Sequence, residues 1–464
     1  NYLRETDYIS GACILFRKSI WDELGGFDER FYPAYYEDTD LAFQMREKGL
    51  KVMYQPASEV VHFEGVSNGS DLNSGIKKHQ LLNQKVFKEK WAERLATDHF
   101  PNAENVFQAR ERSKGKRTIV VIDHYVPFYD QDAGSRSTYL YVKSMAEAGL
   151  NVKFLPANFY PHRPYTNTLE QLGIEVLYGE THARDWKKWF RENAQYIDVV
   201  YLHRPHITED FVDELNTLNP RPRLIYFGHD LHYLRTQREA EVLGDSDLRV
   251  ESEEWKKREL AIFGKVDKVY YPSQVEVDEV KRISPETNVM AIPLYLLDKP
   301  DPADYRHEER RGLLFVGGFG HAPNEDAVIW FTSKVMPQLV EADPSICLHI
   351  VGSRVPESVQ SLASDNILVH GFVSDEDLQT LYREARLCIV PLRYGAGVKG
   401  KVLEALQAGI PIVTTTIGAE GLPEAETVMA IANKAPKMIE ETLSLYNSPE
   451  QCSKYLTRYP DYIE

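Results

Sequence analysis

The chain has 464 residues, 43% hydrophobic and 11% aromatic, with a formal net charge of -16 and a pI near 5.4. That length suggests about three domains, the apolar content excludes general disorder, and the acidic balance argues against a broad nucleic-acid-binding face while leaving room for a local basic pocket. Cys13, Cys347, Cys388 and Cys452 lie far apart with no CxxC and no His at metal-ligand spacing, so neither a disulfide framework nor a zinc site is indicated and a reducing cytosol fits; no run reaches the roughly 20 apolar residues of a membrane span.

Residues 1–95 read as mixed α and β, with a strand expected over 8–16, an aromatic cluster (Phe27, Phe31, Tyr32, Tyr35, Tyr36) and a helical run ending near Leu95. The chain starts at Asn1 and enters this stretch almost at once, as a piece of something longer would. Residues 96–116 are polar, and 110–116 (RERSKGK) offers no apolar face, so a linker is expected there. From 117 to about 300 the pattern predicts strands at 118–122, 152–155, 199–202 and 224–227, with a helix over 137–148. After a Pro- and Asp-rich stretch it restarts over 301–445, with strands at 313–316, 347–351, 367–369, 387–391 and 412–415. Strands alternating with helices predict two doubly wound parallel-sheet domains, with a ligand cleft at the carboxyl ends of the strands. A C-terminal segment, 446–464, is expected to pack back on the first of these domains.

The sharpest motif is 394–415, YGAGVKGKVLEALQAGIPIVTT. A strand ends, the glycines of the turn let backbone N–H groups near Gly397 and Val398 approach a ligand, and a helix then starts and runs through Gln407; its free N–H groups and dipole favour an anion. Lys399 and Lys401 add positive charge, and Glu404 can accept hydrogen bonds from two adjacent hydroxyls. Read alone, Lys401 and Glu404 could equally be an i,i+3 surface pair. The segment resembles the donor-binding motif of family 4 of the retaining GT-B glycosyltransferases. The resemblance implies that Lys399 and Lys401 hold a diphosphate and Glu404 a ribose. Ala396 stands where many members carry another glutamate.

Two further stretches resemble the same family. In 315–327 (FVGGFGHAPNEDA), Gly317 and Gly318 would permit close approach to the donor, with Phe319 where some relatives place Arg. In 127–137 (PFYDQDAGSRS), Gly134 would let the chain pass the reacting sugar, and Arg136 could meet a phosphate or acceptor anion, although a plain β-to-α turn would look similar. In 226–242 (YFGHDLHYLRTQREAEV), the resemblance places the active-site histidine at His232, oriented by Asp230 or His229, with His229 a live competitor.

Residues 10–65 resemble the acceptor-side half of a family 2 inverting glycosyltransferase of GT-A fold. The resemblance gives Glu37 and Asp38 as the acidic pair, Asp38 as general base, Glu37 at the acceptor, and His62 as the histidine that reaches a metal and diphosphate. Asp38 or Asp40 could instead be a helix N-cap. A GT-A site needs a donor half with an Asp-x-Asp motif, which the given sequence does not supply, so that site is expected to be inactive here.

The fold expected is therefore α/β: a GT-B pair of Rossmann-like domains preceded by a partial GT-A segment. The function implied is transfer of a hexosyl or deoxyhexosyl group from a nucleotide-diphosphate sugar to a glycan or lipid-linked glycan, with retention, in a bifunctional enzyme of bacterial surface-polysaccharide synthesis. The resemblance implies no cofactor at the GT-B site, Mn or Mg only at a complete GT-A site, no nucleic acid, and a cytoplasmic location with room for peripheral membrane association. A GT-B nucleotide-sugar epimerase and a non-catalytic glycan-binding scaffold are the alternatives; oligomeric state is not encoded.

Overall fold

The computed structural model describes residues 1–61, 77–295, 297 and 299–463. The chain forms two compact units, one of residues 1–120, 145–155 and 159–198, the other of 121–144, 156–158 and 199–464.

In the first unit, β1 (Arg4–Glu5) pairs antiparallel with β2 (Met53–Tyr54). Beside them the helix Glu37–Glu47 buries Leu41, Ala42, Phe43 and Met45. Phe43 packs with Phe31, Phe87 and Trp91 into a small aromatic core. Asp40 lies fully buried there, accepting hydrogen bonds from Trp91 Nε1 at 2.7 Å and Lys90 Nζ at 2.9 Å. A buried carboxylate persists in such a core only when paired in this way. The same unit holds β4 (Asn151–Pro156) and β5 (Glu175–Val176), in the order β5-β4-β3, where β3 is Thr118–Asp123.

Two expectations fail here. Residues 8–16 form turns rather than a strand, and the Gly11 N–H donates to Asp38 Oδ2 at 2.7 Å. The polar stretch 96–116 is packed rather than loose: Phe107 is buried and stacks on Tyr196. Its charges find partners, Arg112 with Asp7 and buried Glu111 with fully buried Lys153. A segment without an apolar face can thus be ordered by ion pairing.

In the second unit the carboxyl half of β3 leads into the order β3-β6-β7-β8-β9, with β6 (Val199–His203), β7 (Arg223–Phe227), β8 (Lys268–Tyr271) and β9 (Val289–Ala291). A second parallel sheet runs β12-β11-β10-β13-β14-β15: β10 (Leu313–Val316), β11 (Leu348–Val351), β12 (Ile367–Gly371), β13 (Leu387–Val390), β14 (Ile412–Thr414) and β15 (Ala430–Ile431). Every residue of β13 is buried, as expected of an apolar strand covered on both faces. Strand order reverses beside β3 and again beside β10, which opens a crevice at the carboxyl ends. The C-terminal segment corrects another expectation, because it packs on the second Rossmann-like domain: buried Tyr459 donates to the Ile410 carbonyl at 3.1 Å and Tyr462 to that of Pro423 at 2.7 Å.

Candidate functional site

Within the second unit, the loops after β3, β6, β7, β10, β11 and β13 surround a cleft of about 420 Å³. The helices Ala133–Glu147, His232–Leu243, Ala322–Lys334 and Gly400–Gln407 all begin at its wall. Four helix N-termini thus direct positive dipole ends into one space; at two of them carboxylates already accept from the first-turn N–H groups, Asp132 from Ser135 and Glu259 from His232 and Tyr233. Close approach is built in by glycine: a Cβ on Gly400 would lie 2.4 Å from Tyr295 Oη and 2.8 Å from Ala133 Cβ, and one on Gly317 would lie 2.6 Å from Lys401 Nζ.

Most donor-motif residues meet at this wall. Gly317, Gly318, Val398, Lys399, Lys401, Glu404, Gly134 and Arg136 all line the cleft. Gly397 does not; it adopts φ +76° in the turn, and its carbonyl accepts from Lys399 Nζ. Lys399 also lies 3.6 Å from Glu420. Lys401 and Glu404 are not the surface pair that spacing allowed: Lys401 Nζ donates to Asn324 Oδ1 and sits 4.5 Å from the Phe315 ring centre. Burial lowers its ammonium to about 7, despite the raising influence of Cys388 and Glu404. Burial raises the Glu404 carboxyl, offset in part by Arg136, whose Nε is 3.8 Å away. Arg136 therefore sits at the glutamate end of the site.

The histidines divide into two sets. His232 Nδ1 lies 3.1 Å from Asp230 Oδ1, the orienting contact expected, and its ring packs against Trp255. Asp230 is held well below the usual carboxylate range: burial would raise it, but Arg235 and His232 outweigh that. His229 instead belongs to a chain that sequence reasoning missed. Val199–His203 pairs in register with Arg223–Phe227, so Arg204 and His229 leave the sheet at the same edge. His229 Nε2 is 3.1 Å from His203 Nδ1, which faces Thr138 and Asp123. Burial pushes His203 down to about 4, so this pair is neutral at physiological pH.

Asp123, His203 and His229 are close enough for one cation, their ligand atoms lying within 4.8 Å of one another. However, Asp123 already accepts from Arg204 Nε at 2.8 Å, His124 N–H at 2.8 Å and Thr138 Oγ1 at 3.0 Å. The guanidinium beside it opposes a metal, and the set reads better as a hydrogen-bonded chain. Asp123 and His203 carry no motif in the sequence; only their positions at strand ends could have flagged them.

In the first unit, Asp38 accepts from the Gly11 and Thr39 N–H groups, both at 2.7 Å. It lies in the first turn of the helix Glu37–Glu47 and does not cap it, contrary to the capping alternative: the N-cap position is Tyr36, which makes no side-chain cap hydrogen bond, and Tyr35 and Tyr36 lie at φ 78° and 73°. Two successive non-glycine residues in that region mark a constrained turn. Glu37 Oε2 is buried without a hydrogen-bond partner, and burial raises the Glu37 carboxyl, with Asp38 adding to the shift. His62 lies outside the described residues.

Residues 310–448 match the family model for glycosyl transferases group 1, and residues 2–80 match that for glycosyltransferase like family 2. An N-acetylglucosaminyl-diphospho-decaprenol L-rhamnosyltransferase of Mycobacterium tuberculosis is 38% identical over 76 residues, 16% of this chain. The chain spans about a quarter, 24%, of that relative's length. Sucrose-phosphate synthase from Thermosynechococcus elongatus superposes with TM-score 0.56 and 16% identity, over 75% of this chain and 94% of the other. HepE of Anabaena, solved with UDP and glucose, gives 0.54 and 13% over 75% and 94%. At these identities the likeness is one of fold: the two Rossmann-like domains form a GT-B arrangement. The chain thus carries one segment that matches the glycosyltransferase like family 2 model and another that matches the glycosyl transferases group 1 model.

Proposed function

We propose that the second unit transfers a sugar from a nucleotide-diphosphate sugar to a glycan or glycolipid acceptor, with retention, in the manner of family 4. The observation that carries this reading is the convergence of four helix N-termini, Lys399, Lys401 and Glu404 on one cleft. Among the described residues its wall carries six basic side chains (Arg136, Arg204, Arg235, Arg354, Lys399, Lys401) and four acidic ones (Asp130, Asp132, Asp230, Glu404). That excess suits a diphosphate leaving group, whose charge grows as the glycosidic bond breaks. Lys399 and Lys401 hold the diphosphate, Glu404 the ribose, and His229 or His232 a sugar hydroxyl. In this reading the lysines and helix N–H groups supply the charge stabilisation, so no metal is assigned to the cleft.

The rhamnosyltransferase relative supports a deoxyhexosyl group and a lipid-linked glycan acceptor, and the two separate family matches support a bifunctional enzyme, which we place in bacterial surface-glycan synthesis. In the family 2-like segment Asp38 serves as general base and Glu37 faces the acceptor, with His62 toward a divalent metal once a donor half is present. No helix among the described residues is long and apolar enough to cross a membrane. Cytoplasmic action, with peripheral contact at the inner face, is the location that fits this acceptor.

Thermal stability of the wild type and of Glu404→Ala, measured against millimolar UDP, GDP, dTDP and ADP, tests the reading. A ligand at 100 times its dissociation constant stabilises by about 2.7 kcal/mol. A shift with one nucleotide, lost in the variant, supports the donor site and identifies the base; no shift with any nucleotide favours a non-catalytic scaffold.

A further inference from the structure

Arg204 follows β6 directly and is held at φ 60°, ψ 137°, a backbone region that side chains other than glycine rarely occupy. Its guanidinium is fixed from one side by the Nε hydrogen bond to Asp123 at 2.8 Å. Its Nη2 is buried and has no hydrogen-bond partner, and the same is true of His229 Nδ1. A buried donor without a partner is costly, and such groups are rare in folded proteins. Both atoms face the open side of Gly134. A Cβ built on Gly134 would lie 2.9 Å from Arg204 Nη2, 3.5 Å from His229 Nδ1 and 3.3 Å from Asp132 Oδ1. Asp132 is itself fixed, because its carboxylate caps the Ala133–Glu147 helix through Ser135 N at 2.8 Å and Ser135 Oγ at 2.7 Å.

We infer that Arg204 touches the transferred sugar: with His229 and Asp132 it forms, beside Gly134, a subsite for a sugar hydroxyl. The inference rests on the donor-binding reading above. A hydroxyl both accepts and donates, so it can take the Arg204 N–H and give its own proton to Asp132. A phosphate oxygen can only accept, and would be repelled by that carboxylate. Position favours the sugar as well. A Cβ at Gly400 would meet Ala133 at 2.8 Å, so the helix start assigned to the diphosphate abuts the residue before Gly134. The group attached to the outer phosphate then reaches the Gly134 pocket. Arg204 thereby serves a contact role that neither the glycine loop nor the histidine motif supplies.

Gly134→Ala tests this by placing a methyl 2.9 Å from Arg204 Nη2, which must displace the tip of that guanidinium, while Gly134 sits within the Ala133–Glu147 helix, where alanine is conformationally favoured. Dissociation constants would be measured by calorimetry for UDP, GDP and dTDP and for UDP-glucose, UDP-N-acetylglucosamine, GDP-mannose and dTDP-rhamnose, with wild type, Gly134→Ala and Arg204→Lys. The expected result is a nucleoside diphosphate affinity within about twofold of wild type and a loss of roughly tenfold or more for the matching nucleotide sugar in both variants. Wild-type affinity for the nucleotide sugar in both variants would overturn the subsite. So would an equal loss for the nucleoside diphosphate in Gly134→Ala, which would place the diphosphate there instead. Binding of none of these compounds by wild type would overturn the donor reading itself, and this inference with it.

Discussion

The acidic motif of the first unit and the basic cleft of the second handle their charges in opposite ways. Asp38 and Asp40 are satisfied by their own chain: two backbone N–H groups hold the first, and Trp91, Lys90 and Gln44 the second. In the cleft, Lys401 is lowered by burial with only a neutral amide for a hydrogen-bond partner, and Arg204 and His229 keep buried atoms without partners. Satisfied charges hold a fold, whereas charges left wanting anticipate a ligand. The first unit has departures from this too, at Arg4 Nε, Arg46 Nη1, Arg112 Nε and Glu37 Oε2, and of these Glu37 sits where the acceptor motif predicts contact.

The sharpest way to break this comparison is to remove a satisfied charge. Asp40→Ala leaves the buried Trp91 N–H without its acceptor and Lys90 with Asp28 as its remaining partner, and is expected to cost about 2 kcal/mol, read from denaturant unfolding followed by tryptophan fluorescence. A loss under about 0.5 kcal/mol, the range of an ordinary surface substitution, would mean that Asp40 does not hold the core. Next in size, Glu404→Ala is expected to lower donor use by one to two orders of magnitude, the worth of a charged hydrogen bond of about 1.5 to 3 kcal/mol. Kinetics unchanged with every donor tried would remove the ribose assignment.

Lys401 sharpens the contrast through pH. Its ammonium falls from the ordinary 10.5 to about 7 in the folded protein. A diphosphate selects the protonated form, so nucleotide affinity should weaken by up to about tenfold per pH unit above 7. The stability of the free protein moves the other way. Between about 7 and 10.5 the unfolded chain binds the extra proton, so this group makes the folded state more stable as pH rises. Both trends should flatten in Lys401→Met; a wild-type affinity that is flat from pH 6 to 9 contradicts the assignment. The smallest effect belongs to Asp38→Asn, expected to leave turnover at the cleft within about twofold. A clear loss of transfer would join the two regions in one reaction.

Much of this was legible from residues alone. The β-branched strands, the helix through Gln407 and the glycine turns gave both Rossmann-like domains, because parallel strands buried on two faces read as apolar runs. Lys399, Lys401 and Glu404 were picked out by the resemblance of their motif, since spacing alone left a surface pair equally open. Asp123, His203 and Arg204 were not, since they come from two strands that meet only through sheet order. The choice between His229 and His232 was likewise a question of register, which sequence does not display. The packing of 96–116 escaped notice for a related reason: its partners are charges more than 40 residues away, and hydrophobic patterning is blind to them.

Lys153 gives that last point a practical edge. Its ammonium is fully buried on β4, bonded to Glu111 and Glu175 and 3.4 Å from the Tyr2 hydroxyl. A fragment cut at residue 117 to isolate the glycosyltransferase group 1 portion would discard Tyr2 and Glu111 while leaving the lysine in place. What looks like a module boundary is therefore an unsuitable place for scissors. Residues 1–116 supply Lys153 with a counter-ion and a hydroxyl, so recombination that exchanges β4 would have to carry Glu111 and Tyr2 with it.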